Sequence, residues 1–291
     1  MAVARDRWAE WLAERRFGGD AGFRDDVLAR LARVRDEVLD RAEIREGETL
    51  LDVGCGEGLL GFGALARGAA TVIFNDVSTD LLDFCREAAA ELGLHERCRF
   101  VAADAEDLSP VETASVDVVT TRAVLIFVQD KRAAFAEFAR VLRPGGRISS
   151  YEPINRFGAE ERRQSGFFGF PVEGVDEIAA KLRAVYEEIQ PPDSDPMLDF
   201  DERDLLDLAE TAGFFPVRLT LDARIEATPG RNWDGFLDSA WNPNVPTLRE
   251  AMEQALTVHE RERLAAQLRP LVENGNGVWR MALAHLSGER R

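Results

Sequence analysis

Between residues 49 and 151 short apolar runs alternate with amphipathic stretches, and the alternation sets the expected architecture. Thr49–Val53 is an apolar run that ends in a glycine cluster, which predicts a buried strand. Gly58–Ala66 reads as a helix, Thr71–Asn75 as a second strand, and Ser78–Leu92 as a helix with Ser78 as its N-cap. Cys98–Ala102 and Val116–Thr120 are the third and fourth strands. Lys131–Leu142 is a helix stopped by Pro144-Gly145-Gly146, and Arg147–Tyr151 is the fifth strand. Strands alternating with helices imply an α/β fold, with a parallel sheet covered on both faces. Right-handed crossovers then bring the strand C-terminal ends to one edge, where ligands bind.

The flanks follow other patterns. Residues 5–16 predict a short helix with Trp8, Trp11 and Leu12 on one face, ended by Gly18-Gly19. A longer helix runs from about Phe23 to Ala42, with Val27, Leu28, Leu31, Val34, Val38 and Leu39 as its stripe. After Glu152 the alternation stops. Residues 155–200 read as an insertion: a glycine- and phenylalanine-rich loop, a helix from about Val175 to Ile189, then Pro191-Pro192-Asp193. Asp204–Ala212 predicts a helix, Pro216–Leu221 and Val278–Ala284 strands, and residues 228–276 a second non-core stretch, helical from Pro246 on. The resulting division is 1–46 N-terminal helices over the site, 47–154 core, 155–200 lid insertion, 201–227 core continuation, 228–276 helical lid, and 277–291 final strand and tail. Insertions leaving the ligand edge suit a lid.

Composition narrows the function classes. A chain of 291 residues, 45% hydrophobic and 31% charged, is that of a soluble globular protein. No apolar run is long enough to span a bilayer, and the first 16 residues lack the apolar stretch of a signal peptide. A net charge of −17 argues against a nucleic-acid partner. Cys55, Cys85 and Cys98 form no CxxC pair and no zinc spacing, so no metal is expected and a reducing cytoplasm fits.

The glycine cluster carries the chemistry. In Leu51-Asp52-Val53-Gly54-Cys55-Gly56-Glu57-Gly58 the glycines follow a buried strand and let the backbone approach a ligand at a helix N-terminus. Asp76 closes the second strand about twenty residues on, where an acid accepts hydrogen bonds from ribose hydroxyls or merely precedes a helix. Gly56, Gly58 and Gly61 also satisfy GxGxxG, which leaves a nicotinamide or flavin fold as a rival.

Four segments resolve that choice. LLDVGCGEG, Asp76, Ala103-Asp104-Ala105 and Val141-Leu142-Arg143-Pro144-Gly145-Gly146 resemble, in order and spacing, the motifs of the class I S-adenosylmethionine-dependent methyltransferases, here a bacterial small-molecule subgroup. The resemblance covers roughly residues 45–153. It implies a doubly wound, seven-stranded Rossmann-like sheet with S-adenosyl-L-methionine as cofactor. It implies that Gly54, Gly56 and Gly58, with Cys55 in the same turn, lie under the methionine part and Asp52 near its amino group. Asp76, followed by Val77, would hold the ribose; Asp104 would face the adenine amino group, with Ala103 and Ala105 around the ring. Thr121-Arg122-Ala123 would stand next to the transferred methyl, where many members carry a proline-tyrosine motif that this chain lacks. The wider stretch also resembles proteins likened to arsenite methyltransferases, but Cys55 and Cys85 belong to the cofactor loop and second helix, which argues against arsenic as substrate.

Methyl transfer is an in-line displacement for which the protein aligns the nucleophile and excludes water; a base is needed only if the acceptor loses a proton. No histidine has convincing acid spacing: His95 reads as surface, His259 as a solvated helix residue and His285 as structural. The catalytic candidates are Arg122, which binds a substrate carboxylate or pairs internally with Glu152 or Asp104, Glu152, which acts as base, stabilises developing positive charge or anchors the insertion, and Tyr186 on the insertion helix, which hydrogen-bonds substrate or packs in a core. Trp8, Phe168, Trp233 and Trp241 are candidate substrate-binding residues, with Phe157, Phe167, Phe170 and Phe236 as further aromatics that either line a pocket or pack. The expectation is methyl transfer to a small hydrophobic or aromatic metabolite of secondary metabolism by a cytoplasmic monomer or homodimer. The alternatives are a cyclase or lyase consuming the same cofactor and a non-catalytic binding module on the same fold. A nicotinamide oxidoreductase lacks a Tyr-x-x-x-Lys.

Overall fold

The computed structural model describes residues 5–159 and 167–291; residues 1–4 of the expected N-terminal helices and residues 160–166 of the glycine- and phenylalanine-rich loop lie outside the described residues. The chain forms two compact units. The core unit comprises residues 30–154, 200–222 and 283–291; the second comprises 1–29, 155–199 and 223–282. Residues 30–46 therefore fall with the core.

The sheet has seven strands: β1 (Thr49–Val53), β2 (Thr71–Asp76), β3 (Cys98–Ala102), β4 (Val116–Arg122), β5 (Leu142–Pro153), β6 (Phe214–Ala227) and β7 (Val278–Arg290), in the order β3-β2-β1-β4-β5-β7-β6. The first five strands pair in parallel, and β7 runs antiparallel to β5. The order reverses at β1, so the ends of β1 and β4 lie side by side with Val53 opposite Thr121, which is where an open α/β sheet binds ligands. The expected doubly wound α/β sheet is thus present. Its inner strands are buried on both faces: Leu50, Leu51, Val72, Phe74, Val118 and Val119 are each 5% exposed or less.

The helices of the core are α3 (Leu59–Ala66), α4 (Thr79–Glu91) and α5 (Lys131–Val141), after an α1 (Arg7–Glu10) and an α2 (Ala21–Ala42). Ser78 caps α4, its hydroxyl accepting the Leu81 N–H. Along α2 only Val38, Leu39 and Ala42 are buried, and Leu28 is exposed, so the apolar stripe is narrower than the sequence pattern suggests. Pro144-Gly145-Gly146 stands just past the end of α5, as expected, but it also lies inside a strand. The helix ends at Val141, Leu142 is already extended, and the proline and glycines form an irregularity inside β5, where pairing jumps from Val116–Leu142 to Val118–Arg147. Proline lacks an N–H for the ladder, which makes a bulge its natural place in a strand.

The second unit holds α6 (Asp176–Ile189), α8 (Trp233–Leu237), α9 (Leu248–Ala255) and α10 (Val258–Glu273); α7 (Glu202–Thr211) belongs to the core. Capping boxes start α7, α9 and α10: Asp201, Thr247 and Thr257 each exchange hydrogen bonds with the acid three residues on. Phe167, Phe170, Val175, Leu182, Trp233 and Leu264 are among the residues of this unit's own apolar core.

Candidate functional site

The glycine turn after β1 is held by carboxylates placed at strand ends. Asp52 is 2% exposed; its Oδ2 accepts the Gly61 N–H at 2.8 Å, and the Thr120 hydroxyl donates to Oδ1 at 3.4 Å. Asp52 thereby satisfies a free N–H in the first turn of α3 and fixes that helix on the sheet. Burial pushes its carboxyl up to about 7 against the opposing pull of the Gly61 N–H and the Arg122 charge. Gly54 has φ +63°, and a Cβ there would stand 2.4 Å from Val124, so only glycine lets the turn leave β1 this way. Cys55 is buried, and its thiol and that of Cys85 reach the Gly56 carbonyl at 3.7 and 3.3 Å. Contact with Cys85 and burial push the Cys55 thiol up, so it stays protonated.

Asp76 ties β2 to the same turn. Its Oδ2 accepts the Gly56 N–H and its Oδ1 the Ser78 N–H, both at 2.9 Å. Val77 follows, an apolar side chain 49% exposed at the strand edge. The Ala103 N–H donates to the Asp76 carbonyl at 3.2 Å, which brings the loop after β3 alongside. In that loop Asp104 is exposed, accepting the Glu106 N–H at 3.0 Å, and Ala105 is buried. Asp52, Gly54, Gly56, Asp76, Val77, Ala103 and Asp104 thus share one edge of the sheet, in the order the resemblance implies.

Glu152, at the end of β5, is fully enclosed. Its Oε1 accepts the Val124 N–H at 3.2 Å and the Thr121 hydroxyl at 3.1 Å, and its Oε2 accepts the Leu125 N–H at 3.1 Å. The carboxyl anchors the turn after β4, in which Ala123 is held at φ +55°, an unusual conformation for a residue with a Cβ. The sequence left open an anchor for the insertion; the structure gives an anchor for the β4 turn. Burial pushes this carboxyl up to about 7, opposed by those same hydrogen bonds and by Arg122. Thr121 is buried between Glu152 and Ser150, its hydroxyl 2.7 Å from the Ser150 hydroxyl. Arg122 is half-buried and forms neither of the ion pairs considered from the sequence, with Glu152 or with Asp104.

The second unit gathers a different set. Phe168, Tyr186 and Trp241 pack ring against ring, with centroids 5.6 Å (Phe168–Tyr186), 5.5 Å (Phe168–Trp241) and 4.5 Å (Tyr186–Trp241) apart. Trp241 is 42% exposed, yet its indole N–H donates to Gln190 Oε1 at 2.8 Å, and Gln190 Nε2 donates to Asp195 Oδ2 at 3.1 Å. The exposed ring is therefore fixed in orientation. The Tyr186 hydroxyl is buried with no hydrogen-bond partner among the described residues. Phe168 has φ +51°. Trp233 is not part of this group: it is 8% exposed, within the unit's core, and packs on Phe236. Phe167 and Phe170 are core residues as well, Phe157 is exposed, and Trp8 lies in α1 under the Arg7 guanidinium. Gln190 and Asp195 escaped sequence reasoning because nothing in the chain near them marks a polar relay; only folding brings them to Trp241.

The histidines lie where their sequence context suggested. His95 and His259 are exposed, and His285 is buried, with Nε2 3.0 Å from Glu37 and its ring against Tyr151. Among the described residues no group of three or more His, Cys, Asp or Glu could hold a metal ion, and no helix is long and apolar enough to cross a membrane.

Residues 51–150 match the methyltransferase domain family, the stretch that spans the glycine turn, Asp76, Arg122 and β5 up to Ser150. The chain is 34% identical over 124 residues to the methyltransferase GfsG of Streptomyces halstedii, covering 43% of this chain and 44% of that protein. It is 30% identical over 182 residues to the ubiquinone/menaquinone biosynthesis C-methyltransferase UbiE of Hahella chejuensis, covering 60% of this chain and 70% of that one. The chain therefore spans less than half the length of the first of these relatives and about two thirds of the second. Among solved structures, a geranyl diphosphate methyltransferase in complex with S-adenosylmethionine superposes with a TM-score of 0.53 at 20% identity, over 99% of this chain and 96% of that one. With the reversal of strand order at β1, the carboxylate-held glycine turn and these relatives together, the chain belongs to the class I S-adenosylmethionine-dependent methyltransferases.

Proposed function

We propose that this chain transfers the methyl group of S-adenosylmethionine to a small hydrophobic or aromatic metabolite of secondary metabolism. The observation that carries the reading is the convergence at the ends of β1, β2 and β3: a bare glycine backbone at Gly54, Asp76 hydrogen-bonded to Gly56, the exposed apolar Val77, and the exposed Asp104. These residues fit the cofactor. The turn Gly54–Gly58 takes the amino-acid end, Asp76 the ribose hydroxyls, and Val77 with residues 103–105 the adenine. When bound, S-adenosylmethionine supplies a methyl group already activated by a sulfonium leaving group. The residues of the chain then need to orient and desolvate rather than to bond covalently.

Glu152 serves this chemistry as a positioning residue: both its oxygens are committed to the turn that carries Thr121 and Ala123. The second unit, taken by itself, presents an aromatic surface for an apolar ligand. An exposed, orientation-locked Trp241 beside Phe168 suits a flat apolar ligand.

Incubation with methyl-labelled S-adenosylmethionine and a panel of aromatic and polycyclic acceptors tests the proposal. Label in an extracted product with stoichiometric S-adenosylhomocysteine supports it. Methylthioadenosine in place of S-adenosylhomocysteine means cyclase or lyase chemistry instead.

A further inference from the structure

Arg122 is the residue of the core unit whose surroundings do not account for it. It ends β4 opposite Tyr151 of β5, one residue beyond Thr121, which faces Val53 of β1. Its backbone therefore lies beside Gly54, the first residue of the glycine turn. Side chains alternate along a strand, so Arg122 projects from the same face as Thr120, whose hydroxyl bonds Asp52. Among the described residues its guanidinium makes no hydrogen bond and no ion pair. Burial lowers the pKa of the guanidinium, and the charges of Asp52, Glu152 and, in the glycine turn, Glu57 act the other way without being in contact.

The two acids that act on it most strongly are held by other donors and not by Arg122. Asp52 spends Oδ2 on the Gly61 N–H and receives Thr120 on Oδ1. Glu152 spends both oxygens on Val124, Leu125 and Thr121. A guanidinium carries five donors in a planar fork that matches a carboxylate, and leaving such donors unmet in a half-buried place is costly. A ligand that brings a carboxylate to the glycine turn removes that cost. The cofactor of this family has one anionic group, the carboxylate of its methionine portion.

The geometry points to Arg122 as the residue that binds the methionine carboxylate of the cofactor, with a guanidinium held ready at the end of β4 rather than spent on an internal ion pair. The inference rests on the family reading of the glycine turn. It differs from a role for Arg122 in gripping an acceptor carboxylate, because it requires Arg122 to act with no acceptor present.

The test compares two ligands by calorimetry: S-adenosylhomocysteine, and its decarboxylated analogue, which keeps the amino group and loses only the carboxylate. S-adenosylhomocysteine has a neutral sulfur, so sulfonium repulsion with Arg122 does not enter. The wild-type protein is expected to prefer S-adenosylhomocysteine by about 10- to 100-fold, the span of one charge-assisted contact. Arg122→Met should bind S-adenosylhomocysteine that much more weakly and the decarboxylated analogue as wild type does. Arg122→Lys, which keeps the charge but not the fork, should fall between. Unchanged binding of the analogue also certifies that the variant is folded. If Arg122→Met retains the wild-type preference, the carboxylate is held elsewhere and the inference is wrong, while the family reading stands. If both variants lose both ligands, Arg122 shapes the turn rather than binding the carboxylate, and the inference is equally wrong. If the wild-type protein binds neither ligand, the cofactor reading itself fails, and this inference with it.

Discussion

Replacing Glu152 by glutamine keeps the shape of the side chain and removes its titration. Two consequences follow. The amide turns one oxygen into an N–H₂ group facing the Val124 or Leu125 N–H, so one acceptor is lost to a buried donor, at about 1 to 3 kcal/mol. The second consequence depends on pH. The carboxyl titrates near 7 in the folded protein against an ordinary 4.5. The folded state therefore holds a proton that the unfolded state releases between those two values. The stability this carboxyl contributes is fully present below pH 4.5 and is lost as pH rises to about 7. At about 1.4 kcal/mol per pH unit, wild type loses roughly 2 to 3 kcal/mol between pH 5 and pH 8 that the glutamine variant does not lose. Asp52 titrates in both proteins and cancels in the comparison. Urea denaturation of the two proteins at pH 5, 6, 7 and 8 measures the difference. Glu152→Gln should be destabilising at pH 5, and the gap to wild type should narrow as pH rises and can close by pH 8. A gap that stays constant, or widens with pH, would refute the claim that burial governs this carboxyl.

Asp76→Ala removes the acceptor that joins β2 to Gly56 and the residue proposed for the ribose, so S-adenosylhomocysteine affinity measured by calorimetry should drop by about tenfold or more; undiminished affinity in a folded variant removes Asp76 from the cofactor site. Gly61→Ala places a Cβ 2.3 Å from the Phe74 ring, an overpacking that should cost about 1 to 3 kcal/mol and lower the melting temperature; an unchanged melting temperature means α3 does not press on β2 as described. Trp241→Ala should weaken binding of whichever aromatic acceptor the methyl-transfer screen identifies, while leaving S-adenosylhomocysteine affinity intact; equal acceptor affinity in the variant refutes the aromatic platform.

The parts of this protein that were legible in the chain are those governed by local pattern. The bounds of β1 and β3 were read without error, since short apolar runs bounded by glycine or polar residues have one economical conformation inside a two-sided sheet. Gly54, Gly56, Gly58 and Asp76 were recognisable because a close backbone turn followed by an acid at the next strand end leaves a signature in sequence spacing. Pro144-Gly145-Gly146 was legible as the end of α5, but not as part of β5, because pairing with β4 absorbs these residues into a bulged strand. Among the aromatics the chain could not separate Trp233, which packs in a core, from Trp241, which stands exposed and locked by Gln190, because burial is a property of what arrives from elsewhere. The same holds for the buried acids. The composition of β1 and β5 told that Asp52 and Glu152 close apolar strands, but only the tertiary structure decided their work: the N–H groups of Gly61, Val124 and Leu125, up to 28 residues away in sequence, converge on them. Sequence spacing encodes a turn because a turn is local; a carboxylate's role depends on which distant donors the fold brings within 3 Å or so, and that is settled only when the sheet closes.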